Sequence, residues 1–394
     1  MFFNMKKVKK IIAITGARSE YDLLYSVYSK IHNHPDLNLK LIVTGPHLSE
    51  KYGLTVRQIE NDPFEICDRI YNLIDSDHKI GRITSTGIQI SQIAQVINRE
   101  NPDLLIVAGD REEAISVTMV GAFLGIPVAH FFGGDIAKDG NIDNSIRYAA
   151  SKFAHLHFTV MEEHKNNLLR LGEDDWRIHV VGNPALDRLI DTNSIPKNEV
   201  LKSLDSTDWK NENYCVLIQH SIITETNLQH KHFSETLKSI LNNNIKCFIN
   251  YPNSDAGSDA IIKLIDEYAF KHPNIFRIFK NLNRDIYINL LRNAQFMIGN
   301  SSSGILEAPT LGLATINIGE RQRGRIHGDN VIFVDNIESE ISNAIQIVMH
   351  DNTFKTRVKE TKNPYGDGNS ASKIVDIISA LKINESLIYK NITY

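Results

Sequence analysis

The sequence predicts an α/β protein built of two doubly wound domains, each a parallel sheet with helices on both faces. Three observations predict it. Short apolar runs alternate with amphipathic helical patterns from Lys9 to Leu171, and the alternation resumes at Tyr214. The apolar runs end in loops rich in Gly, Ser, Asp and Arg, as at the carboxyl edge of an open parallel sheet. Finally, 394 residues with 42% apolar content exceed one ordinary core and can fill two.

In the first half, Lys9 to Thr15 reads as a buried strand, followed by the turn Gly16 to Asp22 and a helix to about His32. The turn lacks the full dinucleotide glycine fingerprint, which argues against NAD. Arg18 in that turn is a candidate ligand contact, although a surface arginine explains it equally well. Leu39 to Thr44 is the next strand, Ile59 to Tyr71 leads to another, and Ile88 to Asn98 is a helix closed by Pro102. Leu104 to Ala108 is the strongest strand of this half and stops at Gly109-Asp110-Arg111-Glu112-Glu113. An acid and an arginine at such a strand tip sit where open α/β sheets bind ligands; Asp110 with Glu113 also fits a capping box. Pro127 to Phe132 is a strand ending in Gly133-Gly134-Asp135, and a loop then enters a helix at Asp143. Asp143 alone would read as a cap. Together Asp110, Asp135 and Asp143 bring carboxylates to one sheet edge, a standard device for moving protons because neighbours push their pKa values apart.

The turn Gly182-Asn183-Pro184 and the polar, poorly periodic stretch Asp191 to Asn213 mark a crossover. The expected domains are 1–185 and 186–370, with a final helix in 371–394 packing back on the first. In the second half, strand Tyr214 to Gln219 carries His220 at its carboxyl end, and strand Lys246 to Asn250 leads to a turn with Asn253. Both are candidate ligand contacts. Strand Ala294 to Ile298 precedes Gly299-Asn300-Ser301-Ser302-Ser303-Gly304, where a helical pattern starts. A helix N-terminus with unsatisfied N–H groups, serine hydroxyls and a glycine attracts phosphate, and Glu307 one turn on can accept from a ribose diol. A plain serine cap is the bland alternative. Strand Ala314 to Ile318 then runs into Gly319-Glu320-Arg321-Gln322-Arg323-Gly324-Arg325, where three arginines beside an anion cradle point to a pyrophosphate clamp.

A net charge of −4 gives no footprint for nucleic acid or an anionic membrane. No apolar run approaches the about 20 residues of a membrane span. Cys67, Cys215 and Cys247 are odd in number and widely spaced, so they read as reduced core thiols of a cytoplasmic protein and not as a metal site.

Taken in order, the motifs Thr15–Tyr21, Val43–Gly45 with His47, Gly109–Arg111, Gly133–Asp135, Ser145–Arg147, Gly299–Gly304 and Ile316–Arg325 carry a resemblance over nearly the whole chain. The chain resembles the hydrolysing UDP-N-acetylglucosamine 2-epimerases of bacterial sialic acid and legionaminic acid synthesis. The resemblance implies two Rossmann-like domains facing across a cleft, in the glycosyltransferase-B manner. It implies that His220, Asn253, Ser301, Ser302, Glu307 and Arg321 hold a nucleoside diphosphate, with Ser303 and Gly304 in the same cradle and Arg18 and Arg111 reaching from the first domain. Asp110, Asp135 and Asp143 are the implied catalytic acids. The implied reaction eliminates the nucleotide anti across C1–C2 and then adds water with inversion at C2, without metal or redox cofactor. A homodimer or homotetramer acting on a nucleotide sugar follows. Asp135 stands where sialic acid members usually carry Glu, and Tyr148 where many carry His. A non-hydrolysing epimerase ranks second. A glycosyltransferase leaves the first-domain acids unexplained, and a nucleotide-sugar sensor would tolerate their loss.

Overall fold

A computed structural model describes residues 8–74, 79–136, 142–252, 257–279, 282–391 and 393. The chain divides into two compact units, one of Met1–Arg188 with Gly368–Tyr394 and one of Leu189–Asp367.

The first unit is built on β1 (Lys9–Thr15), β2 (Leu37–Thr44), β3 (Glu65–Ile70), β4 (Leu104–Ala108), β5 (Val128–Phe131), β6 (Leu156–Thr159) and β7 (Ile178–Val180). They pair in parallel in the order β3-β2-β1-β4-β5-β6-β7. Helices on both faces bury both sides of the central strands, so these read as unbroken apolar runs. Alternate side chains divide accordingly: Ile11 and Ala13 join the core on one face, Ile12 and Ile14 the core on the other. The strand order reverses between β1 and β4, so the loops Gly16–Arg18 and Gly109–Arg111 lie side by side at the switch point.

The second unit repeats the scheme with β8 (Tyr214–Ile218), β9 (Lys246–Asn250), β10 (Phe276–Phe279), β11 (Phe296–Gly299), β12 (Ala314–Ile318) and β13 (Val331–Val334). Their order is β10-β9-β8-β11-β12-β13, all parallel, and the switch point lies between β8 and β11. Cys215 and Cys247 pair in register inside this sheet and are free thiols.

The segment after residue 367 completes the first unit. Helix Ser370–Ala380 lays Ala371, Ile374 and Ile378 against Leu24, Val27 and Ile31 of helix Arg18–His32. Lys9 caps its end by donating to the carbonyls of Ile378, Ser379 and Leu381 at 2.6–2.9 Å. Arg177, 1% exposed, donates to the carbonyls of Ser386, Leu387 and Tyr389.

Two elements differ from the sequence reading. The expected helix Ile88–Asn98 spans Lys79–Glu100, because Gly81, Gly87 and the neighbouring Ser and Thr hide its start from propensity. The helix after the serine run is a single turn, Ser303–Leu306, followed by a 3-10 turn Ala308–Leu311. Pro309 has no N–H to continue the ladder and its ring crowds the preceding turn. No helix among the described residues is long and apolar enough to cross a membrane.

Candidate active site

In the first unit one buried arginine ties Asp110 to the loop that carries Asp135. Arg147 lies on helix Asp143–Phe153, whose burial pattern turns it inward. Its Nη2 donates to the Asp110 carboxylate and its Nη1 to the backbone carbonyl of Asp135 at 2.8 Å. Asp110 therefore does not cap the helix Glu112–Leu124; the cap position is Arg111, without a side-chain cap. Burial raises the Asp110 pKa, Arg147 opposes the rise, and the nearby charges of Asp143 and Asp135 add to it. Asp110 thus sits within electrostatic reach of both Asp135 and Asp143. Asp143 is the first residue of its helix and lies 3.6 Å from Arg82 Nη2.

The loop that presents Asp135 is tightly specified. Phe132 has φ 63° and Gly134 φ 80°, and a Cβ on Gly134 would stand 2.1 Å from the His164 carbonyl. A bulky residue in the left-handed region costs about 1–3 kcal/mol, a strain typical of functional loops. Asp135 Oδ1 accepts from the Ile136 N–H and lies 3.4 Å from His164 Nε2. Behind it, His130 bridges the Gly109 carbonyl (2.8 Å) and Ser151 Oγ (3.0 Å). Burial lowers its pKa to about 3, so the ring is neutral at physiological pH. A carbonyl only accepts, so Nε2 carries the proton and Nδ1 takes the Ser151 hydroxyl. Sequence reading missed His130 and the hub role of Arg147; only the Ser145-Ile146-Arg147 run signalled the latter.

Arg111 is half-exposed and lines a cavity of about 440 Å³ with Arg82, Glu112, Glu113 and Asp143. Arg18, also exposed, lies 3.5 Å from Asp22.

In the second unit Asn300 organises the carboxyl edge. Its Oδ1 accepts from the His220 N–H (2.7 Å) and its Nδ2 donates to the His220 carbonyl (2.9 Å), locking the tips of β8 and β11 together. Its own carbonyl accepts from Arg321 Nη1 and Gln322 Nε2, both at 3.1 Å. His220, Ser301 and Arg321 are thus brought together, through an asparagine the sequence reading did not weigh. Gly299 permits the close approach: its φ is 121°, and a Cβ there would lie 2.1 Å from the Ile218 carbonyl oxygen.

The serine cradle is more finely divided than the sequence implied. The Ser303 N–H donates to Ser301 Oγ, and Tyr287 donates to Ser303 Oγ at 3.5 Å. Ser302 makes no side-chain cap, but Ser301 Oγ takes the N–H of the helix's first residue, so the serine-cap alternative holds for Ser301. With one helical turn the macrodipole is small, and the anion donors are the backbone N–H groups and hydroxyls themselves. Gly304 has a packing role, since a Cβ would lie 2.5 Å from Thr315 Cγ2. Arg284 holds Glu307 Oε1, while the buried Oε2 has no hydrogen-bond partner among the described residues. Of the three arginines only Arg321 serves the cradle; Arg323 is drawn to Glu320 and Asp335, and Arg325 to Gln322. Of the three arginines expected at a clamp, the structure thus sets Arg321 beside the serine run, together with Gln322. Asn253 lies outside the described residues.

A family model described as UDP-N-acetylglucosamine 2-epimerase matches residues 29–379. The UDP-N,N'-diacetylbacillosamine 2-epimerase (hydrolyzing) of Legionella pneumophila is 33% identical over 97% of this chain and 99% of its own length. The GDP/UDP-N,N'-diacetylbacillosamine 2-epimerase (hydrolyzing) of Campylobacter jejuni is 34% identical over 86% of each chain. Among solved structures, UDP-GlcNAc 2-epimerase from Methanocaldococcus jannaschii superposes with a TM-score of 0.75 at 20% identity, over 94% of this chain and 99% of that one.

Proposed function

Because the chain belongs to the UDP-N-acetylglucosamine 2-epimerase family, we propose that it is a hydrolysing 2-epimerase of nucleotide sugars, releasing a free 2-epimerised 2-acetamido sugar and a nucleoside diphosphate. The substrate class is UDP-N-acetylglucosamine or a related UDP- or GDP-linked sugar such as the diacetylbacillosamine of the relatives, and the product feeds nonulosonic acid synthesis. The observation that supports the reading is Arg147, which ties Asp110 to the Asp135 loop at the carboxyl edge of one sheet, with the Asp143 charge close to Asp110.

In this mechanism the second unit's cradle binds the diphosphate. The ribose diol donates to Glu307 Oε2, which has acceptor capacity to spare. Loss of the C2 proton to a carboxylate and departure of the nucleoside diphosphate from C1 form a C1=C2 double bond, giving a 2-acetamidoglucal. Charge growing on the β-phosphate is stabilised by the cradle N–H groups and Arg321. Water then adds at C1 while an acid returns a proton to C2 on the opposite face. Asp135 and Asp143 exchange these protons, and Asp110 with Arg147 sets their field.

Product analysis tests the reading. Incubation with UDP-N-acetylglucosamine, UDP-diacetylbacillosamine and its GDP counterpart is expected to release free 2-epimer and nucleoside diphosphate from at least one, followed by NMR. An intact 2-epimerised nucleotide sugar would instead assign the non-hydrolysing reaction, and no turnover would remove the reading. Arg321→Ala is expected to weaken UDP or GDP binding by about 1.5–3 kcal/mol, the range for a charge-assisted hydrogen bond. Calorimetry checks it; unchanged affinity would take Arg321 out of the site.

A further inference from the structure

Two acids that the proposed mechanism does not use lie at the β1–β4 switch point. Glu20, on helix Arg18–His32, and Glu113, on helix Glu112–Leu124, are 8% and 3% exposed. One oxygen of each is engaged: Glu20 Oε2 accepts from the Gly16 N–H at 3.0 Å, and Glu113 Oε1 from Thr44 Oγ1 and Gln89 Nε2 at 3.2 and 3.1 Å. The other oxygens, Glu20 Oε1 and Glu113 Oε2, are buried without a hydrogen-bond partner among the described residues. Both lie beside Arg111 Nε, at 3.8 and 4.0 Å. The packing leaves no slack, since a Cβ on Gly16 would stand 2.0 Å from Glu113 Oε1. Two buried acceptors from different helices are thus committed to one guanidinium, whose exposed side lines the cavity.

We propose that Glu20 and Glu113 are positioning residues, a paired-carboxylate seat that fixes both the place and the net charge of Arg111 for the phosphate of a nucleotide sugar. The role rests on the proposed activity. Two ionised carboxylates and one guanidinium would leave a buried net charge, which is costly, so the pair keeps one proton and the cluster is neutral. Consistently, burial, and next the charge of Glu113, raise the Glu20 pKa to about 8. Among the described residues Tyr28 also faces Glu20, which with burial pushes its pKa up, and nearby the His47 backbone N–H donates to the Gly16 carbonyl. Burial lowers the His47 pKa to about 4, so it is neutral throughout this range. When the shared proton leaves, a second negative charge beside Arg111 opposes an arriving phosphate.

The test is the pH profile of kcat/KM, which reports groups of the free enzyme. In the wild type it is expected to fall toward about tenfold per pH unit above the pair's titration. Glu20→Gln keeps the shape and the neutral charge, so this alkaline fall should vanish. Glu113→Gln leaves Glu20 as the one carboxylate of the pair beside Arg111, so its ionisation brings no second negative charge and the alkaline fall should vanish there too. A merely structural pair would alter activity without moving the profile. Lys390, lowered to about 8 by burial, titrates in the same range; an alkaline fall that survives Glu20→Gln would belong elsewhere and overturn the proposal. A flat wild-type profile would overturn it too. If no nucleotide sugar is turned over, the activity reading fails by itself, and stability then tests the pair. A raised folded pKa contributes stability that is full below Glu20's ordinary 4.5 and lost as pH rises toward 8. Wild type should therefore lose stability relative to Glu20→Gln across that window, and parallel curves would refute the shared proton.

Discussion

Replacing Asp135 or Asp143 by Asn is expected to lower turnover by two or more orders of magnitude while nucleotide affinity changes little. Asn keeps the shape of the side chain but removes the group that takes or returns the C2 proton, whose usual contribution is about 10²–10⁴ in rate. The nucleotide cradle is built from β8, β11 and β12 of the second unit, so the loss should fall on kcat. The same chemistry predicts an isotopic signature. Turnover in deuterated water should place one deuterium at C2 of the released sugar, because the abstracted proton is replaced from exchangeable acids. A released sugar without C2 deuterium, or two fully active Asn variants, would end the proposed mechanism.

Gly299→Ala is expected to be the most damaging single methyl in the second unit. Its Cβ would meet the carbonyl oxygen and carbon of Ile218 at 2.1 and 2.6 Å, both backbone atoms of the neighbouring strand. A φ of 121° adds conformational strain. Strain of about 1–3 kcal/mol and overpacking of about 1–3 kcal/mol together consume much of a typical domain's stability. Gly312→Ala is the control: φ is 60° there, but nothing lies within 4 Å of the added methyl. Buried Trp209 belongs to the second unit and exposed Trp176 to the first, so denaturant unfolding followed by Trp209 fluorescence in a Trp176→Phe background isolates the effect. Equal midpoints for the two variants would show that β8 and β11 can part without cost.

The central strands were legible in the sequence because a sheet covered on both faces buries them throughout, and a run such as Leu104–Ala108 has few other readings. The loops were legible because strand tips that carry ligands need glycine, acid and arginine in short order. Pairings across the sheet were not. Asp110 looks like a cap when its only visible neighbour is Glu113; its true partner, Arg147, becomes adjacent only once β4 and β5 pair. The Asn300 bridge to His220 and the Glu20–Glu113 pair escaped for the same reason, since each joins elements that strand order alone makes neighbours. Pro309 was visible, yet the apolar spacing of Ile305, Leu306 and Leu311 imitates a longer helix than the ring allows.

The first unit is discontinuous in sequence: its last helix and tail follow the whole of the second. On a ribosome, the second unit can close on its own residues while the first still lacks helix Ser370–Ala380. Until that segment emerges, the apolar face of helix Arg18–His32 stays uncovered, and buried Arg177 lacks the carbonyls of Ser386, Leu387 and Tyr389. The earliest residues made are thus among the last to be finished, and a chain ending before about residue 368 leaves an apolar helix face without its cover.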